Sequence, residues 1–198
     1  MNTKHLLLAI CFLFSSLCVK AQIKIGAKGG ANFSYITETG DFDFIDWEAL
    51  TSYYVGAFLE YELSDRLSVR GEALYSFEGA EFRDGMGGIR KVELNYLNVP
   101  LLLRLRLIHG IFLDAGIEPG VIINKNEGTA RIDKDTEFGF LLGGGFQLGE
   151  RWIFNLRYVQ GLSDIYTFTA TDANGEPIGS ASGKTRLWQI GAEFSIFK

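Results

Sequence analysis

Eight stretches of this chain alternate with a period of two, and the charged residues keep to one side of the alternation. The stretches lie at about 22–35, 52–63, 67–77, 91–105, 111–123, 138–148, 152–161 and 186–197. One face is apolar: Ile23, Ile25 and Phe33 in the first stretch, Tyr53, Val55 and Leu59 in the second, Ile111, Leu113 and Ile117 in the fifth. That face carries no Asp, Glu, Lys or Arg. The opposite face carries Lys24, Lys28, Glu60, Glu62, Arg70, Glu72, Lys91, Glu93, Arg104, Arg106, Asp114, Glu118, Arg157 and Glu193, with many glycines between them. Period-two alternation of this kind specifies strands. In the fourth stretch the apolar parity moves from Val92, Leu94 and Tyr96 to Val99, Leu101 and Leu103, which predicts a β-bulge near residues 97–100.

Alternation alone fits a soluble sandwich, whose apolar face turns inward, as well as a membrane barrel, whose apolar face turns outward. Three features favour the barrel. The stretches run about 10–15 residues, against 5–6 for typical soluble strands and 9–11 for a tilted membrane-spanning strand. The apolar face ends repeatedly in aromatics, among them Tyr35, Tyr61, Phe77, Trp152, Tyr158 and Trp188, as interfacial girdles do. The polar face mixes acids, bases and glycines in a way that suits a crowded lumen of paired charges. The connections at 64–66, 108–110 and 149–151 are tight, whereas 36–51, 78–90, 124–137 and 162–185 are long. Short and long connections in alternation describe an up-and-down barrel of the bacterial outer membrane. The expected fold is an all-β, eight-stranded antiparallel up-and-down transmembrane β-barrel. An even strand number closes it with both chain ends in the periplasm, because an open edge in lipid strands unpaired N–H and C=O groups.

Composition agrees. The 198 residues include 24 Gly, 16 Phe and 8 Tyr but only 3 Pro, and the net charge of −5 excludes a general nucleic-acid binder. Residues 1–21 have a short basic start, an apolar run from Leu6 to Val19 and a small residue at Ala21, the pattern of a secretory signal peptide cleaved between Ala21 and Gln22. Both cysteines, Cys11 and Cys18, fall in that segment, so residues 22–198, the barrel domain, hold no disulfide or thiol metal site.

Three segments resemble the PorT-type outer-membrane β-barrel family of Bacteroidota: Gly26-Ala27-Lys28-Gly29-Gly30-Ala31-Asn32-Phe33-Ser34, Leu94-Asn95-Tyr96-Leu97-Asn98-Val99-Pro100-Leu101-Leu102-Leu103, and Arg157-Tyr158-Val159-Gln160-Gly161-Leu162-Ser163-Asp164. The family often has Glu where Asn98 stands. The resemblance spans the whole of 22–198 and implies fold and location; the founding member's tie to type IX secretion and gliding bears only on pathway. In the last stretch, Gln189, Gly191, Phe194 and Ile196 are similar to the C-terminal signal read by the barrel-assembly machinery.

An eight-stranded barrel has a lumen only wide enough for its side chains. The residues expected to fill it as a salt-bridged network are Glu60, Glu62, Arg70, Glu72, Arg104, Arg106, Asp114, Glu118, Arg157 and Glu193. Glu60 with Glu62, or Asp114 with Glu118, could serve general acid–base chemistry, but their expected partners are these arginines. His109, in a tight turn, stands at the wrong end for a lipid-hydrolysing Ser/His pair. Asp41, Asp43 and Asp46, and Asp172 with Asn174, place oxygens close together without the spacing of a calcium loop. No catalytic, cofactor or metal site is therefore expected. The expected role is structural or adaptor, with outer-membrane lipid, the assembly machinery and envelope proteins as partners. An envelope-lipid or peptide enzyme and a small porin are the alternatives. Phe42, Phe44 and Trp47 fit partner contact or capping of the barrel mouth.

Overall fold

A computed structural model describes residues 23–40, 47–83, 89–126, 135–163, 166–171 and 177–197. The strands are β1 (Ile23–Gly40), β2 (Trp47–Glu62), β3 (Leu67–Arg83), β4 (Ile89–Asn98), β5 (Leu101–Arg106), β6 (Ile111–Asn126), β7 (Thr136–Leu148), β8 (Trp152–Gly161), β9 (Tyr166–Thr171) and β10 (Pro177–Phe197). β4 and β5 are one wall strand interrupted at Val99-Pro100, because both pair β3 and β6 in a continuous register. β9 pairs the first part of β10, whose later part pairs β8. Each neighbour is antiparallel, and β1 pairs β10 from Ile25↔Phe197 to Gly40↔Ala181, closing an eight-stranded barrel.

The register fixes the barrel's dimensions. Lys24 is linked across the strands through Glu60, Arg70, Leu102, Gly116, Leu141, Val159 and Leu187 to Ser34, so one circuit climbs ten residues along β1. With ordinary strand spacing and rise, that stagger tilts the strands by about 40° and gives a backbone radius of about 8 Å. A ten-residue wall strand such as β8 then rises roughly 25 Å, the height of an outer-membrane apolar band.

The molecule is inside out. Leu103 is 52% and Ile117 50% exposed, while Arg70 and Arg157 are 0% exposed. Aromatics gather at two heights of the outer face. Trp152 packs edge-on to Phe194 at 5.1 Å and Phe146 stacks on Phe154 at 5.2 Å near the tight-turn end; Tyr53–Phe77 at 4.3 Å and Tyr158–Trp188 at 5.0 Å sit towards the other. Between these belts the outward face carries no charged residue among the described residues. Burying a charge there has no compensation, so Leu103→Glu is expected to cost about 2 kcal/mol of unfolding free energy in lipid or micelles. A urea midpoint indistinguishable from wild type would contradict the outward assignment.

Two sequence expectations are corrected. The parity of the fourth wall strand does not flip at 97–100: Leu94, Tyr96, Asn98, Leu102 and Arg104 all face inward, and Leu97, Val99, Leu101, Leu103 and Leu105 all face out. Glu93 is accordingly exposed and not in the lumen. The irregularity lies in β6, where Asn95↔Asn124 gives way to Tyr96↔Ile122 and Ile123 is the extra residue. Hydrophobicity misled here because the upper lumen is itself partly apolar. The long connections are also shorter than read: β1, β2, β3, β6 and β10 run on through much of 36–51, 78–90, 124–137 and 162–185. The barrel therefore continues past the aromatic belt at the end opposite the tight turns.

Those turns are built for closeness. His109 and Gly110 have φ of 56° and 79°, and the Ile111 N–H bonds the Ile108 carbonyl at 3.2 Å. Two consecutive positive φ values define a type I′ turn, whose twist matches that of the strands it joins.

Candidate functional site: a lumen filled by ion pairs

The inward positions of β1, β2, β3, β5, β6, β8 and β10 bring the charged side chains together on the barrel axis. Glu72 is the hub. It receives Lys28 Nζ at 2.7 Å, Arg70 Nε at 2.7 Å, and both terminal nitrogens of Arg157 at 2.7 and 2.8 Å. Asp114 takes a two-pronged contact from Arg104 at 2.8 and 2.9 Å and a third bond from Arg157 at 3.2 Å. Glu60 accepts from Arg70 at 3.2 Å, Arg104 at 3.3 Å, Ser68 at 3.0 Å and Arg106. Glu193, on the closing strand, lies 2.8 Å from Arg70 and accepts from Asn155 at 2.8 Å. At the tight-turn mouth, Glu62 pairs Lys24 at 2.7 Å and Arg106 at 2.9 Å.

Burial decides what these contacts mean. Most of the network is shut off from water, so each ion needs several partners to offset its lost hydration. Arginine provides them because its planar fork donates in several directions at once. The aromatic faces of Phe58 and Phe112 add to this, with the Arg70 and Arg104 guanidinium carbons 3.7 and 3.8 Å from their ring centroids. Space is made by glycine: a Cβ on Gly143 would lie 2.7 Å from the Arg157 side chain.

Of the ten expected lumen residues, Glu60, Glu62, Arg70, Glu72, Arg104, Arg106, Asp114, Arg157 and Glu193 join this network. Glu118 stands apart, and its Oε1 accepts from Asn98 at 3.0 Å. Nearby are two acids that the sequence reading left in connections, Glu78 and Glu137. Their signal was parity: 78 continues the inward series 70, 72, 74, 76, and 137 precedes 139 and 141. The apolar cluster Leu102, Leu141, Val159 and Leu187 also faces inward, and Val159 and Leu187 line the cavity these acids share.

The C-terminal motif is divided between faces. Gln189 points inward and donates to Asn32 at 3.3 Å across the seam, and Gly191 pairs Gly30 there; Phe194 packs on Trp152 outside and Ile196 is 50% exposed. Ala21, Gln22, Phe42, Phe44 and the two acidic clusters at 41–46 and 172–176 lie outside the described residues. Among the described residues no three His, Cys, Asp or Glu side chains form a metal-binding group.

A closed eight-stranded barrel with an apolar, belted exterior and an ion-paired interior defines a β-barrel protein of the outer membrane. The chain matches the outer membrane protein beta-barrel domain family over residues 16–167, and it belongs to that family. No curated protein matches it. Among solved structures it is similar to the outer membrane protein OprG of Pseudomonas aeruginosa, with 14% identity, 90% of this chain and 98% of that one covered, and a TM-score of 0.55. It is also similar to Ail of Yersinia pestis (14% identity, 88% and 99% covered, TM-score 0.49) and to Neisserial surface protein A (9%, 89% and 99%, TM-score 0.49).

Proposed function

We propose that this outer-membrane protein is a non-catalytic, non-conducting barrel that serves as a structural or adaptor component and presents its far end to envelope partners. The observation that carries this reading is the filled lumen. Lys28, Arg70, Glu72, Arg157 and Glu193 cross-link four wall strands, β1, β3, β8 and β10, on the axis, and each is at most 4% exposed. Of the four carboxylates that could have served as acid and base, Glu60 and Asp114 are each committed to two or more arginines and Glu62 to Lys24 and Arg106, whereas Glu118 is bonded by Asn98 and not by an arginine. The strands that outrun the aromatic belt add a protruding collar for contact.

In this reading the tight turns and both chain ends face the periplasm and the collar faces the cell exterior. A PorT-like role in the Bacteroidota envelope is the finer proposal, supported by the three sequence segments given above; Lys28 and Arg157 of those segments sit in the lumen network. Two measurements test the function. Purified barrel in planar bilayers is expected to give no stepwise ion current, and stable conductance steps would favour the porin. Co-purification from native outer membranes is expected to lose its partners when the connections at 41–46, 84–88, 127–134 and 172–176 are shortened. An unchanged set of partners would end the adaptor reading.

A further inference from the structure

We propose that the lumen cavity at the collar end binds one divalent cation, Ca²⁺ in class, through Glu118 and Glu78. Three carboxylates, Glu78, Glu118 and Glu137, face this cavity, and each is at most 7% exposed. No Lys or Arg lines it among the described residues. The three acids are not equally provided for. Glu137 is satisfied: Tyr96 Oη donates to one oxygen at 2.9 Å and the Thr185 hydroxyl donates to the other. Glu78 and Glu118 share the donor Asn98 Nδ2, which lies 3.0 Å from an oxygen of each, and Glu78 is bonded by the Ser76 side chain as well. The second oxygen of Glu118, Oε2, is buried without any hydrogen-bond partner. An orphaned carboxylate oxygen beside a second anion is a strongly unfavourable arrangement unless positive charge joins it.

The space suits a single ion. The cavity is about 20 Å³, enough for one water-sized occupant. Its walls are cut back by glycine, since a Cβ at Gly120 would run into Asn98 and one at Gly161 into Glu137 and Thr185. The nearest cations do not fill the need, because Lys28 and Arg157 are both bound to Glu72 in the network below. The donors are all hard oxygens, which select Ca²⁺ or Mg²⁺ over softer metals. Mg²⁺ keeps several waters that this volume cannot hold, whereas Ca²⁺ tolerates an irregular oxygen set. No third acid is drawn into a ready-made cage among the described residues. The site is therefore one of two carboxylates, completed by neighbouring oxygens.

The test uses the whole barrel refolded in detergent, stripped with chelator and titrated with CaCl₂, with MgCl₂ and NaCl in parallel. Thermal unfolding is followed by heat-modifiable gel migration and circular dichroism. Wild type is expected to show a saturable rise of the midpoint, about 5 °C at a hundredfold excess over Kd. Glu118→Gln is expected to remove the Ca²⁺ response and to raise the midpoint in chelator, because the orphaned charge is gone. Glu62→Gln, at the other mouth, should keep the response. Absence of a saturable Ca²⁺ shift in wild type, or a shift of equal size in Glu118→Gln, overturns the proposal. So does stabilisation in chelator on acidification with no Ca²⁺ response, which would make the occupant a proton. If Glu118→Gln does not fold, isothermal titration of wild type decides: one Ca²⁺ per barrel supports the site and no binding heat sinks it. These readouts involve the isolated barrel alone, so they stand or fall separately from the adaptor role.

Discussion

Glu72→Ala is expected to abolish recovery of the folded barrel, or to lower its unfolding free energy by about 3–5 kcal/mol where it still folds. The reason is what the substitution leaves behind. Lys28, Arg70 and Arg157 all converge on this one carboxylate, and all three are buried beyond the reach of water. Removing the anion leaves three cations repelling one another, with Glu193, Asp114 and Glu60 left to answer them, Glu60 and Asp114 being shared with Arg104. Glu62→Gln is the contrasting case. Its partners Lys24 and Arg106 sit at the mouth with side chains 11% and 22% exposed, where water screens the loss, and its effect is expected below about 1 kcal/mol. Folded yield on cold gels and urea unfolding by tryptophan fluorescence in micelles measure both. A double variant, Lys28→Met with Glu72→Gln, should recover part of the loss, since it removes a cation together with the anion. If Glu72→Ala lay within 1 kcal/mol of wild type, the lumen network would not be what holds the walls together.

How much of this was legible in the residues depends on how strongly each segment separates its two faces. In β1, β2, β3 and β6, charged residues alternate with aliphatic ones, so direction, register parity and lumen occupancy could all be read. Arg70, Arg157 and Glu72 were legible for the same reason: no lipid-facing position tolerates them. Leu94 and Tyr96 were misread because an apolar side chain is at home on either face when the lumen is partly apolar. Glu78 and Glu137 were overlooked because polar strand extensions beyond the membrane look like loops. Their inward parity becomes visible only once the strands are known to continue. The partners of Glu118 were not legible, since which lumen ions meet depends on a stagger of ten residues that no local pattern encodes. The aromatics Phe58 and Phe112 were missed as arginine platforms because they interrupt an otherwise polar face without breaking its parity.

That stagger also explains why the lumen face is so rich in glycine, and Gly116→Ala tests the explanation. A strongly coiled wall brings some inward positions against the backbone of the next strand. At Gly116 an added Cβ would collide with the Leu101 carbonyl oxygen and stand 2.7 Å from Leu102 Cα, both backbone atoms that cannot turn aside. Gly30 against Ile190 and Gly145 against Phe154 repeat the arrangement on two other strand pairs. A methyl group here has to push the strands apart, which lengthens ladder hydrogen bonds that have no water to replace them. Gly116→Ala is expected to cost about 3 kcal/mol or more, at the upper end for overpacking because backbone and not side chain must move. Gly71→Ala should differ sharply. It faces lipid, and its nearest neighbour would be a Leu101 methyl at 3.7 Å, an ordinary contact. Its effect is expected within about 0.5 kcal/mol of zero, with a small gain from a less flexible unfolded chain. Urea midpoints of the two variants, measured side by side in the same micelles, separate the cases. Equal midpoints would mean that the close strand approach at Gly116 relaxes freely, and that glycine stands there for reasons other than closure.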